Sequence, residues 1–207
     1  QREAALRYAS ELAAHSARDA AVPLQQGLEA ARTLAATLGA LKTSGNANRQ
    51  AGHAILRTVL EQNPRFVGVW TGWEPNAFDE RDSDFADMAG HDATGRYVPY
   101  WSRGGANGSS ALDPLTDYEK PGAGDYYQLP KSTGKATLVE PYAYQIGGKS
   151  VLITTLSVPI VIEGRFVGVA GVDITLNGIQ DMVQAIRIYE NGYASLLSNQ
   201  AIYVAAK

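Results

Sequence analysis

Cysteine is absent from the 207 residues. That excludes a disulfide framework, thiolate metal sites and a cysteine nucleophile. Histidine is scarce. His15, His53 and His91 lie far apart, form no H-x-x-x-H pattern, and read as surface or capping residues rather than metal ligands. Charge of one sign is not in excess: 18 Lys and Arg face 21 Asp and Glu, for a net charge of -3. A surface built for a phosphate backbone would be basic, so no nucleic-acid partner is expected. Long apolar runs are also missing. A membrane span needs about 20 apolar residues. The longest tract here, Val151 to Ile162, is broken by Thr154, Thr155, Ser157 and Pro159. The chain opens on Gln1-Arg2-Glu3 with no starting methionine and no apolar leader, and reads as a segment excised from a longer protein, which leaves room for a spanning segment to flank it.

Catalytic and cofactor patterns are equally thin. There is no G-x-S-x-G elbow and no H-x-x-E-H pattern, so neither an enzyme nor a cofactor is expected. Gln145-Ile146-Gly147-Gly148-Lys149-Ser150 loosely resembles a phosphate loop, but a β-branched, strand-like run follows where a helix is required, so it reads as a hairpin turn. The acid-rich stretch with Asp79, Asp82, Asp84, Asp87 and Asp92 lacks EF-hand spacing and reads as a solvated loop rather than a calcium site.

What is present is an ordinary globular balance, 45% hydrophobic and 19% charged, enough for a hydrophobic core. Residues 1–44 read as one long helix or two. Leu24, Leu28, Ala31, Leu34, Leu38 and Leu41 fall on one helical stripe, Pro23 marks a kink or a fresh start, and Gly45 marks the stop. A second helix is expected from about Arg49 to Gln62. Strands are expected at 65–70, 97–101, 136–144, 149–162 and 165–175, with two-residue turns at Gly147-Gly148 and Glu163-Gly164. A helix over 176–187 and a final hairpin over 193–205, joined through Ser198-Asn199-Gln200, complete the order. Strands in succession rather than alternating with helices make the class α+β.

The chemistry gathers late in the chain. Six of the 11 tyrosines lie between residues 100 and 145: Tyr100, Tyr118, Tyr126, Tyr127, Tyr142 and Tyr144. Carboxylates run among and after them, including Asp125, Glu140 and Asp173. Aromatic faces with carboxylates suit an organic cation, through cation–π attraction and charge-assisted hydrogen bonds. Asp173 sits in an otherwise apolar strand, Val167 to Ile174, where a carboxylate must be paired or exposed. A ligand ammonium is one partner; the amide end of the helix opening near Leu176 is the other.

Gly164-Arg165-Phe166-Val167-Gly168-Val169-Ala170-Gly171-Val172-Asp173-Ile174-Thr175-Leu176 and Glu140-Pro141-Tyr142 resemble motifs of double Cache (dCache) sensor domains. These are the periplasmic ligand-binding parts of bacterial methyl-accepting chemotaxis receptors and related sensor kinases. The resemblance implies a long N-terminal helix followed by PAS-like antiparallel-sheet modules. On that pattern 1–44 is the helix, 45–187 the membrane-distal ligand-binding module, and 188–207 the start of an incomplete membrane-proximal module. It also implies an inner-membrane receptor, homodimeric when intact, with its sensor domain in the periplasm.

Amino-acid-binding dCache domains carry an Arg that holds the ligand carboxylate, and an Asp matching Asp173 that holds the α-amine. Here Gly124 stands at the Arg position, followed by Asp125. Together with Trp73-Glu74-Pro75-Asn76 and Pro99-Tyr100-Trp101, this looks similar to polyamine- and histamine-sensing dCache receptors of pseudomonads. A small amine is therefore the implied ligand. Asp173 and Asp125 are its anchors, Tyr126, Trp101, Tyr100 and Tyr144 its walls, and Glu140 and Tyr142 further contacts. An amino-acid sensor, with Arg96, Arg103 or Lys131 holding the carboxylate, is the alternative.

Overall fold

The computed structural model describes residues 2–188, 192–198 and 203–206. They form two compact units, one of residues 2–26 with 175–206, the other of residues 27–174.

The first helix, α1, is Arg2–Thr43, and it continues through Pro23, so of the two expectations there the start of a second helix does not hold. Ala31, Leu34, Ala35 and Leu38 are buried along its stripe. Gly27 and Gly39 bring it close to Leu156 and Ile160. It ends at Gly45, whose φ of 74° is the left-handed stop expected of glycine. Helix α2, Arg49–Gln62, is capped by the Asn48 side chain accepting from Ala51 N, which satisfies one of the free amides of its first turn.

One sheet organises residues 27–174. Its strands are β1 Phe66–Trp73, β2 Pro99–Ser102, β3 Ala111–Pro114, β4 Thr137–Leu138, β5 Tyr142–Ile146, β6 Lys149–Ile162 and β7 Arg165–Thr175. Their order is β3-β2-β1-β7-β6-β4, and β5 also pairs with β6; β1 runs antiparallel to β2 and β7, β2 to β3, and β6 to β4 and β5. The turns Gly147-Gly148 and Glu163-Gly164 have positive φ at both residues, the twist that joins strands through two residues. The single strand expected over 136–144 is instead two strands separated by Pro141, which has no amide for a ladder.

Helix α3, Asp125–Thr133, was not legible in the sequence. It is short, contains Pro130, and stops at Gly134 with φ 66°. Tyr126, Tyr127 and Pro130 are its buried residues, so packing of that face onto the sheet stabilises a segment of weak intrinsic propensity. The core beneath it contains Trp70, Val98, Tyr100, Leu115, Tyr126, Tyr127, Ile153 and Val169.

The acid-rich stretch is not simply solvated. It holds a short 3-10 turn, Asp82–Phe85, and Asp82 is buried in an ion pair with Arg49 at 2.6 Å.

In the other unit, helix α4, Asn177–Ala185, packs Ile179 and Val183 with Leu176 and Ala205, and Leu24 joins that cluster. Strands β8 Ser195–Leu197 and β9 Tyr203–Ala206 pair antiparallel. The connection expected at Asn199-Gln200 lies outside the described residues.

Candidate functional site

The β1–β7 ladder sets the site. Phe66 pairs with Ile174 and Gly68 with Asp173, so β1 carries one extra residue between them. Such a bulge bends the strand and re-aims its neighbours. Asp173 is 2% exposed. Its Oδ1 accepts from Thr155 Oγ1 at 2.6 Å and from the Trp70 indole N–H at 3.2 Å. The Tyr100 hydroxyl stands beside the same carboxylate and helps to stabilise its charge, yet it is buried without a hydrogen-bond partner. A side chain on Gly68 would come within 2.4 Å of that hydroxyl and 2.6 Å of Asp173 Oδ2, so the space where the two converge exists only because residue 68 is glycine. Burial pushes the Asp173 carboxyl up to about 6, opposed by the hydrogen bonds from Thr155 and Trp70 and by the nearby Tyr100 hydroxyl. The capping alternative is excluded: the residue entering α4 is Leu176, with no side-chain cap.

Four tyrosines gather over this carboxylate. Tyr100 and Tyr144 meet edge-on with centroids 5.3 Å apart, and Tyr144 is 6.3 Å from Tyr126 and 6.1 Å from Tyr142. Tyr126 and Tyr142 are nearly parallel, 7° between planes at 6.5 Å. The Trp70 indole packs edge-on to Tyr126 at 5.2 Å. Hydroxyls fix these rings: Tyr142 meets Thr155 Oγ1 at 2.8 Å, Tyr126 donates to the Thr116 carbonyl, and Tyr144 lies 3.3 Å from Thr116 Oγ1. Burial raises the pKa of all four phenols, so they stay protonated. The result is a neutral aromatic cage with one buried carboxylate at its base.

Five of the residues singled out in the sequence thus come together: Asp173, Tyr100, Tyr126, Tyr142 and Tyr144. The other three stand elsewhere. Trp101 is next to Tyr100 on β2 and therefore faces the opposite side of the sheet; its indole N–H reaches His53 Nδ1 at 3.3 Å. Asp125, in the first turn of α3, accepts from Gly122 N at 3.0 Å, turned to its own loop. Glu140 precedes β5, half-buried, with Oε2 buried and without a hydrogen-bond partner. Two cage residues were missed. Thr155 left a trace, because it interrupts an apolar strand; Trp70 left none, because only strand pairing brings it opposite Tyr100.

The three cations considered as carboxylate anchors are held by protein groups. Arg103 donates to the carbonyls of Phe66 at 2.8 Å and Leu60 at 2.6 Å. Arg96, 3% exposed, bonds Glu119 at 2.6 Å, Tyr127 at 2.8 Å and the Trp73 carbonyl. Lys131 pairs with Glu74 at 2.8 Å.

A long N-terminal helix followed by an antiparallel sheet is the architecture of a sensor domain, and comparison with known proteins agrees on that fold. The family of methyl-accepting chemotaxis protein-like first PDC sensor domains matches residues 53–181. The chain belongs to this family. It is 31% identical over 135 residues to methyl-accepting chemotaxis protein TlpQ of Pseudomonas aeruginosa, a stretch covering 60% of this chain and 19% of TlpQ. The chain therefore spans about a fifth of that relative's length. Among solved structures, the extracellular domain of the histidine-kinase candidate mmHK1S-Z2 is 37% identical with a TM-score of 0.86, over 97% of this chain and 72% of that one. The sensory domain of Campylobacter jejuni chemoreceptor Tlp3 with isoleucine bound has a TM-score of 0.69 over 99% of this chain and 71% of that one, at 16% identity, a likeness of fold alone. As a PDC sensor domain this chain is the ligand-sensing part of a chemoreceptor-like protein. No helix among its described residues is long and apolar enough to cross a membrane.

Proposed function

We propose that residues 27–174 sense a small organic cation, a polyamine such as putrescine or histamine. The observation carrying this reading is the buried Asp173 carboxylate ringed by Tyr100, Tyr126, Tyr142 and Tyr144, with the Tyr100 hydroxyl unpartnered. An ammonium in the cage would pair with Asp173 and be attracted by the ring faces. Asp125, beside Tyr126 at the start of α3, would turn from its own loop to serve as the outer anchor for a second amine, and Glu140 would be a further acceptor. Trp101 belongs to the strand that carries Tyr100 rather than to the cage wall. The engagement of Arg96, Arg103 and Lys131 argues against an amino acid, whose carboxylate would have to displace existing ion pairs or carbonyl contacts.

Asp173 is 2% exposed, so a ligand reaches it only when the covering rings part. Binding then favours one arrangement of the domain over another, the differential affinity a signal requires. In the intact receptor α1 would carry that change to a membrane anchor outside this chain, in a periplasmic sensor paired with a second copy, to control chemotaxis. Residues 45–187 would form the membrane-distal module and 188–207 open the proximal one. No catalysis and no cofactor enter this reading.

Thermal shift over putrescine, cadaverine, spermidine, histamine and the common amino acids tests it. A ligand at 100 times its Kd stabilises by about 2.7 kcal/mol, which is roughly 5–10 °C in a domain this size. A rise with amines alone supports the cation reading; a rise with amino acids alone overturns it.

A further inference from the structure

On the face of the sheet opposite the cage, α2 and the loop 74–95 enclose a cavity of about 430 Å3, whose lining includes Asn48, Arg49, His53, Asp79, Phe85 and His91. Arg49, 4% exposed, ties the two segments together. It bonds Asp79 at 2.6 Å, Asp82 at 2.6 Å and the Gly95 carbonyl at 2.6 Å, with its guanidinium carbon 4.2 Å over the Phe85 ring. One helical turn on, His53 meets His91 of the loop edge-on at 5.9 Å, and both pack on Tyr97, at 5.4 and 5.6 Å. The two histidines expected as surface or capping residues are therefore packed together, His91 buried and His53 half-buried.

Their partners fix their protons. The Trp101 indole N–H donates to His53 Nδ1 at 3.3 Å, so that nitrogen carries no proton and the ring is neutral. His91 Nδ1 lies 2.9 Å from the Ala89 carbonyl, which only accepts, so its proton is on Nδ1. His91 Nε2 is then a lone pair, buried and without a partner, in a residue 5% exposed. A metal ion does not suit the pair, because Trp101 occupies His53 Nδ1 and no group of three or more ligating side chains forms among the described residues.

A proton does suit it. The charged groups around the pair are Arg49 from α2, and Asp79, Asp82 and Arg81 from the loop; Tyr97 and Trp101 close it from the sheet side, with Arg57 5.6 Å over the Trp101 ring. Asp79 and Asp82 are both engaged by Arg49, and no acceptor reaches His91 Nε2, so a proton placed there would be buried without a hydrogen-bond partner. We propose that His53 and His91 form a proton-operated latch: neutral, they hold the loop 74–95 against α2; protonated, they loosen that contact. Burial, then His91 and Arg49, push His53 down to about 4; burial first also lowers His91. A histidine held below its unfolded value contributes stability that is full above about pH 6.5 and lost as pH falls.

The test is made on the whole chain. Imidazole resonances are followed by NMR from about pH 8 to pH 4, and Tm is measured at about pH 7.5 and pH 5.5, the window this linkage affects. The variants are His53→Asn, His91→Asn and the double variant, since Asn can still accept from Trp101 or donate to Ala89. Expected are titrations of both histidines below about 6.5, the ordinary value, with His53 at about 4, and an acid-induced fall in Tm at least halved in the double variant. Titration of either histidine at its ordinary value, or a fall in Tm undiminished in the double variant, overturns the latch. If the variants do not fold, the titration of the unaltered chain decides.

Discussion

The Tyr142 hydroxyl donates its proton to Thr155, 2.8 Å away. The direction follows from Thr155 having one proton, which it directs to ionised Asp173 at 2.6 Å. A wall of the cage is thus oriented by the charge at its base.

Replacing Thr155 by Val keeps the shape but breaks that relay. Asp173 Oδ1 would retain Trp70, and the half-buried Tyr142 hydroxyl would lose its partner. A hydrogen bond to a charged group contributes about 1.5–3 kcal/mol, so ligand affinity should fall about tenfold or more. Titration calorimetry checks this, and Thr155→Ser should restore most of the loss.

Asp173→Asn should separate binding from stability. A carboxyl raised to about 6 by burial in the native state binds protons more readily folded than unfolded, so as an anion it opposes folding at neutral pH. Asn can still accept from Thr155 and Trp70. The variant should unfold at equal or higher urea concentration than the parent, a gain of up to about 3 kcal/mol, while losing amine binding. A variant that binds normally would remove Asp173 from the site.

Amine affinity should itself depend on pH. Only ionised Asp173 attracts a cation. Binding should be level well above about pH 6 and weaken toward tenfold per unit below it. Calorimetry across that range gives the slope; a flat profile would mean that another group holds the cation.

Gly171→Ala should disturb the cage from beneath. Its Cβ would lie 2.1 Å from Trp70 Cζ2, so the indole must move and its bond to Asp173 with it. Overpacking of this kind destabilises by about 1–3 kcal/mol. Urea unfolding followed by tryptophan fluorescence should show both the loss and a changed native spectrum.

The parts of this fold legible in the sequence are local ones. Helix α2, strands β6 and β7 and their glycine turns follow from periodicity and from the backbone freedom of Gly147, Gly148 and Gly164. Helix α3 and strand β3 were hidden because they are short, and because Pro130 argues against the helix that Tyr126 and Tyr127 hold by packing. Tyr100 and Trp101 look equally suited to a pocket, yet neighbours on a strand face opposite ways. His53 and His91 looked like surface residues because 37 residues separate them, and only the loop 74–95 folding over α2 makes them a pair.

By itself the sequence required that the Asp173 carboxylate in an apolar strand find partners, and it supplied tyrosines of the right chemistry. Tertiary structure chose which partners: Trp70, 103 positions away, and Thr155, 18 away. That choice depends on strand order, on register and on the extra residue in β1. Each is fixed by pairing between distant segments, and burial of one face of the sheet, rather than any local preference, selects the register.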